Sequence, residues 1–105
     1  MNYLVKATPT ERMRTLGADE RETLLAGERE AATALITAGS LAWMWYLPDS
    51  RTSVSIWNAD DRDALDADLR TLPFLPYHDL EISVLAAHPA FPTPLGVAEP
   101  ASPES

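Results

Sequence analysis

Ser40-Leu41-Ala42-Trp43-Met44-Trp45-Tyr46-Leu47-Pro48-Asp49-Ser50-Arg51-Thr52-Ser53-Val54-Ser55-Ile56-Trp57-Asn58 is the stretch that decides the fold. Its first half, Ser40 to Leu47, is rich in aromatics and reads as a strand. Alternation places Leu41, Trp43 and Trp45 on one side and Ala42, Met44 and Tyr46 on the other. Its second half, Thr52 to Asn58, alternates Val54 and Ile56 against Ser53, Ser55 and Trp57. Between them, Pro48-Asp49-Ser50 carries turn chemistry: a fixed proline φ and side-chain oxygens that bond the local backbone. Strands this close in sequence form an antiparallel hairpin.

A helix flanks the hairpin on each side. Before it, Leu24, Leu25, Ala31, Ala32, Leu35 and Ile36 recur at helical spacing, which predicts a long helix over Ala18 to Ala38. Gly39 follows, where a helix C-terminus favours a left-handed residue. After the hairpin, Asp60 or Asp61 can cap a helix running to about Leu72, with Ala64, Leu65, Leu69 and Leu72 on one face and Pro73 as its stop. Outermost lie two more strands. Asn2 to Thr8 has Tyr3, Val5 and Ala7 opposite Leu4 and Lys6, and His78 to Ala86 has Leu80, Ile82 and Val84 on one side. Pro9 to Gly17 is polar and shows no periodicity. The order is β-α-β-β-α-β, an α+β ferredoxin-like fold with a four-stranded antiparallel sheet and two helices on one face. The other face needs a cover, because tryptophan and methionine left in water form an exposed apolar patch, and a partner subunit or a ligand is expected there.

Composition sets the bounds. The chain has 105 residues, 46% of them hydrophobic, which suits one domain with one core. That domain is expected over residues 1–94, followed by a disordered Pro/Ala/Glu/Ser-rich tail over 95–105. The net charge of −8 argues against nucleic acid and against an anionic membrane surface. There is no cysteine, so disulfides, thiolate nucleophiles and cysteine zinc sites are excluded. The N-terminus lacks the basic and long apolar segments of a signal peptide, and no apolar stretch is long enough to span a bilayer, so a cytoplasmic protein is expected.

Candidate chemistry rests on few residues. Glu28 falls near the middle of the stripe of Leu24, Ala31 and Leu35. An inward carboxylate there has a raised proton affinity and serves as a general acid or base, unless it is held in an ion pair with Arg21. Tyr46 can donate to a carbonyl oxygen and stabilise an enolate, or simply pack on the sheet with its hydroxyl in water. Trp43, Trp45 and Trp57 can wall a flat ligand, or form core and interface. Ser53 and Ser55 share a face and can bond a ligand oxygen, water or a second subunit. Lys6 can attract an anion or stay solvated. His78 and His88 are the two histidines, ten residues apart and without metal-ligand spacing, so no metal is expected. The acidic run Asp60, Asp61, Asp63, Asp66 and Asp68 lacks the glycine and distal glutamate of a calcium loop and reads as capping and a solvated face. The four glycines are scattered, so there is no phosphate loop.

Leu72-Pro73-Phe74-Leu75-Pro76-Tyr77-His78-Asp79-Leu80-Glu81-Ile82 resembles the LPLFPYMDIEV stretch of the muconolactone isomerase family. Val5-Lys6 is similar to the family's HVK, Ala26 to Glu30 to its ADEKE, Trp43-Met44-Trp45-Tyr46 to its HLWR, and His88-Pro89 to its closing RHP. The resemblance covers about residues 1–90. It implies a ferredoxin-like subunit forming dimers of the α/β-barrel type that assemble further. It implies a cofactor-free isomerase of aromatic-compound catabolism, in which a base removes a proton beside an unsaturated lactone and an acid returns one elsewhere. It also places a carboxylate at Glu28 and favours His88 over His78 as a site residue. Leu4, Trp43, Tyr46 and Ala87 stand where the family has basic residues, which points to a less charged, more aromatic ligand and to a tailoring isomerase or cyclase of biosynthesis. The expected function is therefore a cofactor-independent isomerase or cyclase working as a homo-oligomer on a small carbonyl compound. Glu28, Tyr46 and His88 are its catalytic candidates; Lys6, Trp43, Trp45, Ser53, Ser55 and Trp57 are its binding candidates. The alternatives are a cofactor-free monooxygenase of the same fold and a non-catalytic binding or assembly module.

Overall fold

The central hairpin forms as its alternation requires, with one irregularity that changes which residues share a face. The structure is a computed structural model and describes residues 1–91; the expected tail over 95–105 lies outside the described residues. Strand β1 spans Asn2–Pro9, β2 Leu41–Leu47, β3 Thr52–Asn58 and β4 His78–Leu85. The sheet order is β2-β3-β1-β4, and all three pairings are antiparallel. Helix α1 is a short turn over Glu11–Arg14, α2 runs Ala18–Thr37 and α3 runs Arg62–Leu69. This is the ferredoxin-like arrangement.

The irregularity lies at the start of β2. Leu41 pairs with Trp57, yet Trp43 pairs with Ile56, so Ala42 is an extra residue in the ladder. Such a bulge switches the faces that strict alternation assigns. Leu41 therefore turns into the core opposite Trp57, whereas alternation predicts that it shares a side with Trp43 and Trp45. The register then places Met44 and Tyr46 beside Ser55 and Ser53, on the helix side of the sheet. Trp43 and Trp45 go with Val54, Ile56, Leu4 and Lys6 on the opposite side.

The core sits between the sheet and the helices. Tyr3, Val5, Leu41 and Trp57 rise from the sheet; Leu35, Leu65, Leu69 and Leu72 come down from the helical layer. Trp57 is 1% exposed and Leu65 0%. Helix α2 contributes the expected stripe apart from Ile36, which is 58% exposed. At about 100° per residue, Ile36 sits about 100° from Leu35, on the flank of the buried stripe. Asp61, one of the two expected caps, accepts from the Ala64 amide at 2.8 Å. Helix α3 ends at Leu69, earlier than the expected Leu72. Thr71 and Leu72 make tighter i to i−3 bonds to Asp68 and Leu69, and Pro73 has no N–H to continue. The aperiodic segment after β1 holds α1, whose Met13 is buried, and Thr10 bonds its amide and hydroxyl to the Tyr77 carbonyl.

The opposite face of the sheet carries the tryptophan pair. Trp43 and Trp45 stack with ring centroids 5.4 Å apart and planes 5° from parallel. Trp45 is 49% exposed, and Leu47 beyond it is exposed as well. Among the described residues no helix is long and apolar enough to cross a membrane.

Candidate active site

Glu28 is carried into the space between layers by its place on α2. Counting back from Leu35 at about 100° per residue, Glu28 lies about 20° from the centre of the buried stripe. Its helix runs close to the loop after α3. A β-carbon on the neighbouring Gly27 would come within 3.2 Å of Pro73 Cγ, so glycine lets the helix and this loop approach. The next loop residue supplies a partner: the Phe74 amide donates to Glu28 Oε1 at 3.0 Å.

Burial raises the Glu28 pKa above its ordinary 4.5, because a half-buried carboxylate loses hydration when it ionises. The Phe74 N–H and the charge of nearby His78 act the other way, and burial dominates. The ion pair with Arg21 that the sequence allowed does not form. Arg21 donates to the carbonyl oxygens of Met13 at 2.8 Å and Arg14 at 3.4 Å. Glu28 thus meets the physical requirement for a proton carrier: a carboxylate oriented by one fixed donor, with its proton affinity raised.

His78 completes this corner. Its Nδ1 lies 3.0 Å from the Phe74 carbonyl. A carbonyl only accepts, so Nδ1 carries the proton and Nε2 is left as the acceptor of the neutral ring. The Phe74 and His78 rings lie 5.8 Å apart. Sequence reasoning favoured the other histidine. His88 lies beyond β4, is exposed, and uses its Nδ1 to accept from the Ala90 amide at 3.0 Å.

The remaining candidates divide between the two faces. Ser53, Ser55, Trp57 and Tyr46 share the helix side of the sheet with Glu28. Ser55 is buried and engaged: its hydroxyl donates to Val5 O at 3.3 Å and accepts from Trp57 Nε1 at 2.8 Å. Trp57 is core, so it cannot form one aromatic wall with Trp43 and Trp45, which lie through the sheet. Ser53 is half-buried, and Tyr46 is 69% exposed at the sheet edge. Lys6 is on the tryptophan side, 3.7 Å from Glu81, its register partner on β4.

Two open grooves flank the corner. One, of about 280 Å³, runs between α3 and β4 over Leu69, Leu75, Leu80 and Ile82, with Arg62, Asp66 and Arg70. The other, of about 400 Å³, is lined by Asp19, Glu20, Thr23, Leu24 and Tyr77. Glu28 lines neither. Leu24, one helical turn before it, borders one, and Leu75, next to Phe74, borders the other.

The sequence profile of the muconolactone delta-isomerase family matches residues 1–90. The chain belongs to the muconolactone delta-isomerase family. A muconolactone delta-isomerase of Pseudomonas aeruginosa is 34% identical over 71 residues, covering 68% of this chain and 74% of that protein. One of Pseudomonas putida is 30% identical over 67 residues, 64% of this chain and 70% of the relative. A crystal structure of muconolactone isomerase superposes with a TM-score of 0.74 at 28% identity, covering 87% of this chain and 94% of that one. The ferredoxin-like fold read from the hairpin is thus the fold of the family, and by family the chain is an isomerase. Against the family's LPLFPYMDIEV, His78 occupies the place of the methionine, and that substitution was the available signal for the histidine beside Glu28.

Proposed function

We propose that this protein is a cofactor-independent isomerase of an unsaturated lactone, with Glu28 carrying the proton. One observation supports the reading above the others: a half-buried carboxylate with raised pKa, oriented by the Phe74 amide at 3.0 Å in the helix-sheet layer. The relatives of Pseudomonas aeruginosa and Pseudomonas putida are muconolactone delta-isomerases, which supports a lactone as the substrate class. In the proposed step the Glu28 carboxylate removes a proton from a carbon conjugated with the lactone carbonyl. The C–H electron pair enters a dienolate, and the same proton is returned at a different carbon. The double bond has moved and every atom is retained. A proton affinity raised by burial lets one group both take and give the proton.

Oxygen binding is assigned to Tyr46 and Ser53, whose hydroxyls are not drawn into the core as that of Ser55 is. The working unit is proposed as a homo-oligomer, with the stacked Trp43 and Trp45 covered by a second copy. Tyr46, on the helix side of the sheet with Glu28, stands where the family has a basic residue that would meet a substrate carboxylate, which favours a lactone with less negative charge.

The deciding experiment mixes purified protein with muconolactone and, separately, with its methyl ester, and follows double-bond migration. Turnover is expected with at least one of them, faster with the ester. Glu28→Gln is expected to lower kcat by about 100-fold or more, the usual contribution of a general acid-base group. Absence of migration with both compounds would sink the lactone reading.

A further inference from the structure

The corner around Phe74 holds a histidine that the proton-transfer step described above does not use. Phe74 has helical dihedrals, φ −76° and ψ −11°, at the entry to the single 3-10 turn Leu75–Tyr77. Two side chains hold it from opposite ends. Glu28 accepts from its N–H at 3.0 Å, and His78 donates to its carbonyl at 3.0 Å. The Tyr77 amide also reaches the Phe74 carbonyl, at 2.9 Å, so that oxygen accepts from both. The rotation that would swing the Phe74 N–H away from Glu28 is resisted at the other end of the same residue. We propose that His78 is a positioning residue for the candidate base, fixing through Phe74 the donor that orients the Glu28 carboxylate.

The inference rests on the reading of Glu28 as the proton carrier. The chemistry of the substituted position adds to it. A methionine, which the family stretch has here, offers no strong donor to a carbonyl and no charge. Histidine offers both. Its imidazolium, when formed, opposes the burial that holds the Glu28 proton in place.

Other charged groups face this corner from each packed element. On α2 they are Asp19 and Glu20, which line a groove with Tyr77, and Arg21, turned to the Met13 carbonyl. On α1, Arg12 sits over the Tyr77 ring at 4.9 Å. On α3, Arg70 borders the groove reached by Leu75. None of them contacts the Phe74 carbonyl, and all stay constant across the variants below.

The test compares wild type with His78→Met and His78→Asn. The asparagine amide nitrogen stands close to the place of Nδ1, so this variant keeps a donor and loses the charge. Two readouts are taken: steady-state kinetics on the better of the two lactones, and the Glu28 carboxyl titration by carbon-13 NMR without substrate, assigned with Glu28→Gln. His78→Met is expected to lower kcat about tenfold with KM within about twofold, as for a misoriented group. His78→Asn should retain kcat within about threefold. In both, the Glu28 midpoint should rise by about half a pH unit or more, because a neighbouring positive charge is gone. An unchanged kcat in His78→Met, or an equal loss in His78→Met and His78→Asn, would overturn the proposal. Should the wild type turn over neither lactone, the functional reading fails by itself. The titration still decides the positioning role: a larger rise in His78→Met than in His78→Asn supports it, because only the methionine also loosens the Phe74 N–H held on the carboxylate, and equal rises reject it.

Discussion

Glu28 shows how one residue links burial to both chemistry and stability. Its carboxyl holds a proton more tightly in the folded chain than at the ordinary 4.5, and burial is the main cause. The folded state therefore binds more protons than the unfolded state at pH values from about 4.5 up to the raised pKa. Stability falls as pH rises through that window, and the loss is complete above it. Glu28→Gln removes the titrating group. In urea unfolding between pH 4 and pH 8, wild type should lose stability relative to the variant with rising pH, and the two profiles should run parallel above the raised pKa. A constant difference across the whole range would contradict the burial argument. The same residue marks what was legible: its position in the apolar stripe identifies it from sequence alone, since 3.6-residue periodicity is local. Its partner was not legible, because Phe74 and His78 reach Glu28 only across a tertiary contact 46 residues away in the Phe74 case.

At the scale of elements, the bulge in β2 is the feature that periodicity could not locate. Alternation counts residues, and one extra residue inverts every assignment on one side of it. Leu41 is core and Trp43 is outward although they are two residues apart. Deleting Ala42 would restore a regular ladder in which Leu41 and Trp43, now adjacent, still point to opposite faces. The expected outcome is a cooperatively folded protein within about 2 kcal/mol of wild type, since no core side chain is lost. Deleting Met44 instead also closes the ladder with Leu41 opposite Trp57, but it turns Trp43 to the helix side in place of Met44 and breaks its stack with Trp45, and should cost about 1–3 kcal/mol more than the Ala42 deletion. Thermal and urea melts of the two deletions separate these cases. Helix starts are read more closely than ends: Asp61 caps α3 through its immediate neighbours as its chemistry predicts, whereas the helix stops at Leu69, short of the expected Leu72.

Over the whole molecule, the sheet has one face under helices and one under a stacked tryptophan pair. A patch built from Trp43, Trp45, Leu47 and their neighbours is costly in water, and covering it by a second copy offsets that cost. Trp45→Glu would place a carboxylate in the middle of the face proposed to be covered. Sedimentation velocity should show an oligomer for wild type and a monomer for the variant, whereas an identical assembly in both would place the contact elsewhere. What the sequence by itself determined were properties carried by near neighbours: the β-α-β-β-α-β order, the hairpin, the helix stripe with its inward carboxylate, and the LPFLPYHDLEI block that resembles the family's. What only the tertiary structure decided were relations across the chain: that Trp57 is core while Trp43 and Trp45 lie through the sheet, that Ser55 spends its hydroxyl on Val5 and Trp57, and that His78, not His88, stands beside Glu28. The physical reason is that propensity, capping and alternation act over a few residues, whereas packing brings distant residues together through the register of strands and the docking of loops, which no local pattern records.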